Sequence, residues 1–130
     1  MIIDTSAIVA ILRAEHDASR YIDALATAEY VAMSAATYVE TSVVVDANRD
    51  PVLSRRFDEL VAAAAVQIEP LTAEHATIAR RAYQDFGKGS GHAAQLNLGD
   101  CFSYALAAAR QEPLLYKGED FRHTGLASAI

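Results

Sequence analysis

The sequence predicts an α/β domain built on a mainly parallel central sheet of four or five strands. Short apolar runs alternate with longer helical stretches along the whole chain, the pattern of strand–helix–strand units. The helical stretches repeat their apolar residues every 3.6 positions. No linker, internal repeat or low-complexity tract interrupts the 130 residues. That length suits one hydrophobic core and not two, so residues 1–130 are read as a single domain.

The first strand is "MIID", an apolar run that ends in an acid. A helix is expected from Ser6 to about Arg13, and then a second, in which Ala18, Tyr21, Ile22 and Leu25 share one face. "YVAMS" reads as the second strand. "TYVETSVVVDAN" is ambiguous because valine favours strands, but its length favours a helix, with Thr37 as the N-cap. Pro51 opens a helix whose stripe is Leu53, Phe57, Leu60, Val61 and Ala64. "VQIEPL" is the third strand. Thr72 then caps a helix with Ile78, Ala79, Ala82 and Phe86 on one side, closed by Gly87. "GKGSGHAAQLN" begins as a loop. The last long helix runs from about Gly99 to Arg110, with Leu98, Phe102, Ala105, Leu106 and Ala109 expected on its buried face. "PLLYKGEDF" supplies a fourth strand and a short helical turn, and "GLASAI" is the candidate for a fifth, edge strand.

Composition narrows the function classes. With 52% hydrophobic and 22% charged residues this is an ordinary globular chain. The N-terminal stretch has no basic region and is broken by Asp4 and Arg13, which argues against a signal peptide, and no run is long enough to span a bilayer. The single Cys101 excludes an intramolecular disulfide and a cysteine metal cluster, so a reducing, cytoplasmic compartment is expected. A net charge of −6 gives no bulk affinity for nucleic acid. An acidic nuclease centre with a local basic rim is still compatible with it.

Four acids stand apart from the rest. Asp4 follows the first strand, Asp120 follows the fourth, and Asp100 opens the last long helix. In parallel sheets ligands sit beyond the carboxyl ends of the strands, which is where these three fall. Glu40 has Val43, Val44 and Ala47 at helical spacing, so it reads as a glutamate on an apolar face. Each acid also has an ordinary structural explanation. Asp4 can cap a helix, Asp100 can be a first-turn acid, Asp120 a solvated turn residue beside Glu119, and Glu40 one half of a buried salt bridge. Asp17, Asp23, Asp58 and Glu59 read as solvated surface residues. Gathered at one rim, however, carboxylates repel by about 4 kcal/mol per pair at 4 Å and an effective dielectric of 20. A cation resolves that conflict. Hard oxygen ligands suit Mg²⁺ or Mn²⁺, ions that acidify water and neutralise phosphate, and phosphodiester hydrolysis is the chemistry they serve.

"IIDTSAIVAIL", a glutamate in the third helix, "LNLGDCFSYALA" and "LLYKGEDF" together resemble the PIN-domain proteins, and more closely the VapC-type toxin ribonucleases of bacterial type II (VapBC) toxin–antitoxin systems. The resemblance covers nearly the whole chain. It implies a three-layer α/β/α fold, Mg²⁺- or Mn²⁺-dependent cleavage of RNA, and neutralisation by a cognate VapB-type antitoxin within a complex of toxin homodimers. By position Asp4, Glu40, Asp100 and Asp120 match the family's catalytic acids, with Asp4, Asp100 and Glu40 as metal ligands; Glu119 competes with Asp120 for the last place. Ser6 is expected to hydrogen-bond near Asp4 or substrate, or else simply to begin its helix. Lys117 is the best candidate for a contact to the RNA backbone; Lys88 and Arg122 read rather as solubilising charge. Ser103 and Tyr104 are expected beside Asp100. His16, His75, His92 and His123 lack ligand spacing.

Other readings were weighed on the same residues. "GKGSG" lacks the order of a phosphate-binding P-loop and follows a helix, so it reads as a flexible lip. A haloacid-dehalogenase-like phosphatase needs a second Asp where Ser6 stands. A PIN-like interaction protein without catalysis sits poorly with four retained acids. Ile8, Ile11, Leu12, Tyr21 and Ile22 suggest a dimer face or antitoxin groove, with core packing as the alternative. RNA choice is expected to rest on the shape of a folded RNA.

Overall fold

In the computed structural model, which describes residues 1–130, strand β1 (Ile2–Ile3) lies inside a sheet rather than at its edge. It is followed by α1 (Thr5–Leu12), α2 (Ala18–Thr27), β2 (Ala32–Ser34), α3 (Ala35–Asp46), α4 (Pro51–Ala63), β3 (Gln67–Glu69), α5 (Ala73–Phe86), α6 (Leu98–Arg110) and β4 (Leu114–Leu115), then a 3₁₀ turn at Asp120–His123. The four strands are parallel in the order β3-β2-β1-β4. Ile2 pairs with Ala32 on one side and Leu114 on the other. The C-terminal segment adds a bridge at Ser128, through hydrogen bonds of Leu114 N to Ala127 O and Ala129 N to Leu114 O, in place of a full fifth strand.

β1 and β4 are short and apolar because both of their faces are covered, whereas the edge strand β3 is largely exposed. Successive side chains point to opposite faces. Ile3, Met33 and Leu115 therefore join a core with Ile8, Leu12, Tyr21, Leu25 and Phe57 from α1, α2 and α4. Ile2, Ala32 and Leu114 join a second core with Leu96, Ala105, Leu106 and Phe121. The result is the three-layer α/β/α arrangement. No helix is long and apolar enough to cross a membrane.

Three expectations are corrected. The N-cap of α3 is Ser34, whose hydroxyl accepts from Ala36 N at 3.3 Å, and Thr37 lies wholly buried inside the helix. The buried face of α3 is Thr37, Thr41 and Val45, while Val43 is 62% exposed and Val44 and Ala47 are exposed too. A hydropathy count misses this because the inward threonines satisfy their hydroxyls internally and pack their methyls. At the head of α6 it is Leu98 that faces solvent, 67% exposed, and Gly99 that is buried, with Cys101, Ser103, Ala105, Leu106 and Ala107 continuing the inner face. Phe102 and Ala109 are only partly buried. Of the five apolar residues read as surplus in α1 and α2, Ile8, Ile11, Leu12 and Tyr21 are core; Ile22 alone is exposed.

Candidate active site

Asp4 sits between β1 and α1, and its surroundings are set by both layers. Its backbone N–H donates to Leu115 O of β4 at 2.9 Å, and its carboxylate caps α1. Oδ2 accepts from Ser6 N at 2.9 Å and from Ser6 Oγ at 2.6 Å, and Oδ1 accepts from Ser103 Oγ of α6 at 2.6 Å. The residue is 3% exposed. The ordinary role of an aspartate at a helix start is thus filled, and the same carboxylate is held from a second helix as well.

Glu40 enters from α3. Thr5 Oγ1 donates to its Oε1 at 2.7 Å, and the hydroxyls of Thr5 and Thr41 lie 2.8 Å apart. Burial pushes the Glu40 carboxyl above the ordinary glutamate range, the Thr5 hydrogen bond opposes the rise, and the charge of Asp4 adds to it. The other carboxylate oxygen lies over Gly99, where any Cβ would overlap it. That close approach is why "LGD" needs its glycine.

Asp100 stands in the first turn of α6 and completes a capping box: Asn97 N donates to its Oδ2, and its own N–H donates to Asn97 Oδ1, both at 2.9 Å. Its carboxyl is pushed up to about 7. Burial is the main cause, the Asn97 amide works against it, and the charges of Asp4, Asp120 and Glu40 raise it further. Asp120 is exposed at the start of the 3₁₀ turn, close enough to act on Asp100. Its neighbour Glu119 is instead held by Arg122 at 2.8 Å. Of the two, Asp120 is the one that joins the acids.

The remaining candidates are placed as follows. Ser6 is tied to Asp4, and its Oγ also accepts from Lys117 N at 3.0 Å. The Lys117 ammonium pairs with Glu15 and, at 2.7 Å, with Asp17. Those two acids hold the ammonium, and through its backbone Lys117 fixes the turn after β4 against Ser6. Ser103, expected beside Asp100, reaches Asp4. Tyr104 turns toward α5, its ring 5.7 Å from that of Phe86, with Asp85 as its charged neighbour. Lys88 is exposed in the glycine-rich loop. Thr5 and Thr41 escaped the sequence reading, and Thr37 entered it only as a helix cap. The four-residue spacing of Thr37 and Thr41 was the available signal, since it places two hydroxyls on one helical face.

None of Asp4, Glu40, Asp100 and Asp120 forms an ion pair with a Lys, Arg or His. Three of them are buried or half-buried, and an unpaired buried carboxylate is costly. As they stand, no three such side chains converge into a ready-made cage; Thr5 holds Glu40 and Asn97 holds Asp100. The donor set, all hard oxygen with uncompensated negative charge, fits a divalent cation such as Mg²⁺ or Mn²⁺.

Comparison with known proteins gives consistent matches. A family model described as "PIN domain" matches residues 1–126. The chain is 58% identical to ribonuclease VapC28 of Mycobacterium tuberculosis, over all of this chain and 98% of that one. It is 46% identical to ribonuclease VapC42 of the same species, over 99% of this chain and 98% of that one. Among solved structures, M. tuberculosis VapC20, described as a sarcin–ricin loop cleaving toxin, superposes with a TM-score of 0.75 at 16% identity, covering 97% of this chain and 95% of that one. A toxin–antitoxin complex from Klebsiella pneumoniae gives a TM-score of 0.67 at 18% identity, covering 92% and 88%. At these identities the two structures share the fold.

Proposed function

The chain belongs to the PIN-domain family, and on that premise we propose that it is a VapC-type endoribonuclease toxin that hydrolyses RNA phosphodiester bonds at its acidic cluster. The observation that carries the proposal is the unpaired set Asp4, Glu40 and Asp100, drawn from both helical layers to the carboxyl ends of β1 and β2, with the Asp100 carboxyl pushed up to about 7.

In this reading Asp4, Glu40 and Asp100 hold Mg²⁺ or Mn²⁺, and Asp120 stands at the open rim. A bound divalent ion supplies the charge that neutralises the scissile phosphate and acidifies a water. The chain's own residues do the rest. Ser6 and Ser103 hold the Asp4 carboxylate, Thr5 holds Glu40, and Asn97 holds Asp100 at the head of a rigid helix. Asp120, exposed beside Asp100, is placed to orient the attacking water and take its proton. No histidine stands among these groups, so proton handling falls to carboxylates.

A partner belongs to the same proposal. Val39, Val43 and Val44 of α3 and Val52 of α4 leave apolar surface exposed on the helix that carries Glu40. A shallow apolar cleft lined by Val9, Leu12, Val44 and Leu53 adjoins them. A VapB-type antitoxin, acting on a toxin homodimer, is the proposed occupant of such surface. Light scattering with and without the antitoxin is expected to show a dimer and a larger complex. A strict monomer in both would count against this.

The decisive experiment for activity uses antitoxin-free protein on structured RNA with Mg²⁺, Mn²⁺ or EDTA. Cleavage should require the ion, and the Asp4→Ala, Asp100→Ala double variant should lose about a thousandfold or more of the rate. No cleavage with any ion, or equal cleavage by the variant, would overturn the nuclease reading and leave an interaction protein.

A further inference from the structure

We propose that Ser103 is a positioning residue that dictates how Asp4 meets a cation: through a single lone pair of Oδ1. This rests on the reading of Asp4 as a metal ligand. The residue is completely buried on a helix face it shares with Gly99, Leu106 and Ala107, where alanine would pack without a polar group to satisfy. A serine inside a helix commonly bonds back to the carbonyl four residues earlier. Ser103 instead donates across the layers to Asp4 Oδ1 at 2.6 Å, and Thr37 Oγ1 of α3 lies 3.2 Å behind it.

Counting protons fixes the direction of this chain. Ser103 has one hydroxyl proton and gives it to Asp4, so the Thr37 hydroxyl must be the donor to Ser103. Two helices from opposite layers therefore act on one carboxylate oxygen. Counting lone pairs fixes what remains. A carboxylate has about four acceptor sites. Ser6 takes two on Oδ2 and Ser103 takes one on Oδ1. Ser6 fills Oδ2 and so excludes a bidentate grip, while Ser103 takes one of the two sites on Oδ1 and fixes the direction of the one that is left. A single lone pair of fixed direction suits Mg²⁺, which demands near-ideal octahedral geometry, whereas larger Ca²⁺ accepts looser ligand directions. Ser103 thus bears on which ion is held as well as how tightly.

The test is calorimetric titration of the folded protein with Mg²⁺ and with Ca²⁺, comparing wild type, Ser103→Ala and Thr37→Val, with urea unfolding to confirm that each variant folds. The expected result is an Mg²⁺ affinity about tenfold or more weaker in Ser103→Ala. Its Ca²⁺ affinity should change far less, so the Mg²⁺/Ca²⁺ preference falls. Thr37→Val should shift the same ratio in the same direction by a smaller factor. Wild type that binds Mg²⁺ with Ser103→Ala matching it in both affinity and preference would overturn the role of Ser103 alone. Wild type that binds neither ion would overturn the metal-site reading and this inference with it.

Discussion

Asp100 is the side chain whose protonation should change most when the site is filled. Its carboxyl sits at about 7 in the folded chain against an ordinary 3.8. The folded state therefore holds the proton more tightly than the unfolded state does. This group favours folding fully below pH 3.8, and the contribution is lost as pH rises through about 7. In EDTA, stability is expected to fall across that window, and Asp100→Asn should flatten the fall while abolishing cleavage. Because the carboxyl is partly exposed, screening keeps the effect on the order of 1–2 kcal/mol, several degrees in Tm. Thermal melts from pH 4 to 8 check it; an unchanged slope in the variant would assign the dependence elsewhere. Asp4 and Asp100 were legible in the sequence because each sits at an element boundary next to an apolar run. The partner of Ser103 was not, since helical phase pointed to Asp100, one turn away, and only the packing of α6 across β1 aims the hydroxyl at Asp4.

The elements that carry the acids are held at their ends. Ser34→Ala should cost about 1 kcal/mol by uncapping α3, read in urea unfolding. At the head of α6, Gly99→Ala adds a Cβ into the Glu40 carboxylate. Alanine also improves helix propensity by about 1 kcal/mol, which offsets part of the overlap energy. The expected outcome is a modest stability change with a large loss of cleavage, because Glu40 has to move. Full activity in this variant would show that the position of Glu40 is not critical. Element order, the Thr72 cap and the strand-to-acid junctions were readable because each depends on local chemistry. The phase of α3 was not. Valines outrank threonines on any hydropathy scale, yet the threonines face inward, where Thr37 meets Ser103 and Thr41 meets Thr5.

At the scale of the molecule the acids join two cores that otherwise meet through a thin sheet and where α3 touches α6 at Thr37 and Ser103. Asp4 and Glu40 belong with the α1–α4 layer and Asp100 with the α5–α6 layer, so a divalent ion is expected to fasten the layers together. Addition of Mg²⁺ at pH 7.5 should raise Tm by several degrees in wild type, and by much less at pH 4.5 or in Asp100→Asn; equal shifts in all three would point to a site elsewhere. The placement of β1 has a consequence for how the protein is made. β1 is made before the other three strands, but the strand on one side of it, β4, is among the last elements to follow, and the Asp4 amide waits for Leu115 O and Ser6 for Lys117 N. A chain ending at Arg110 should therefore leave the Asp4 amide and the Ser6 hydroxyl without these partners and RNA uncut, even though it contains Asp4, Glu40 and Asp100. Translation proceeds at about 5–20 residues per second, so a nascent copy spends most of its synthesis with the surroundings of Asp4 incomplete. For an enzyme that destroys RNA, threading the first strand between an early neighbour and a late one works as a built-in delay.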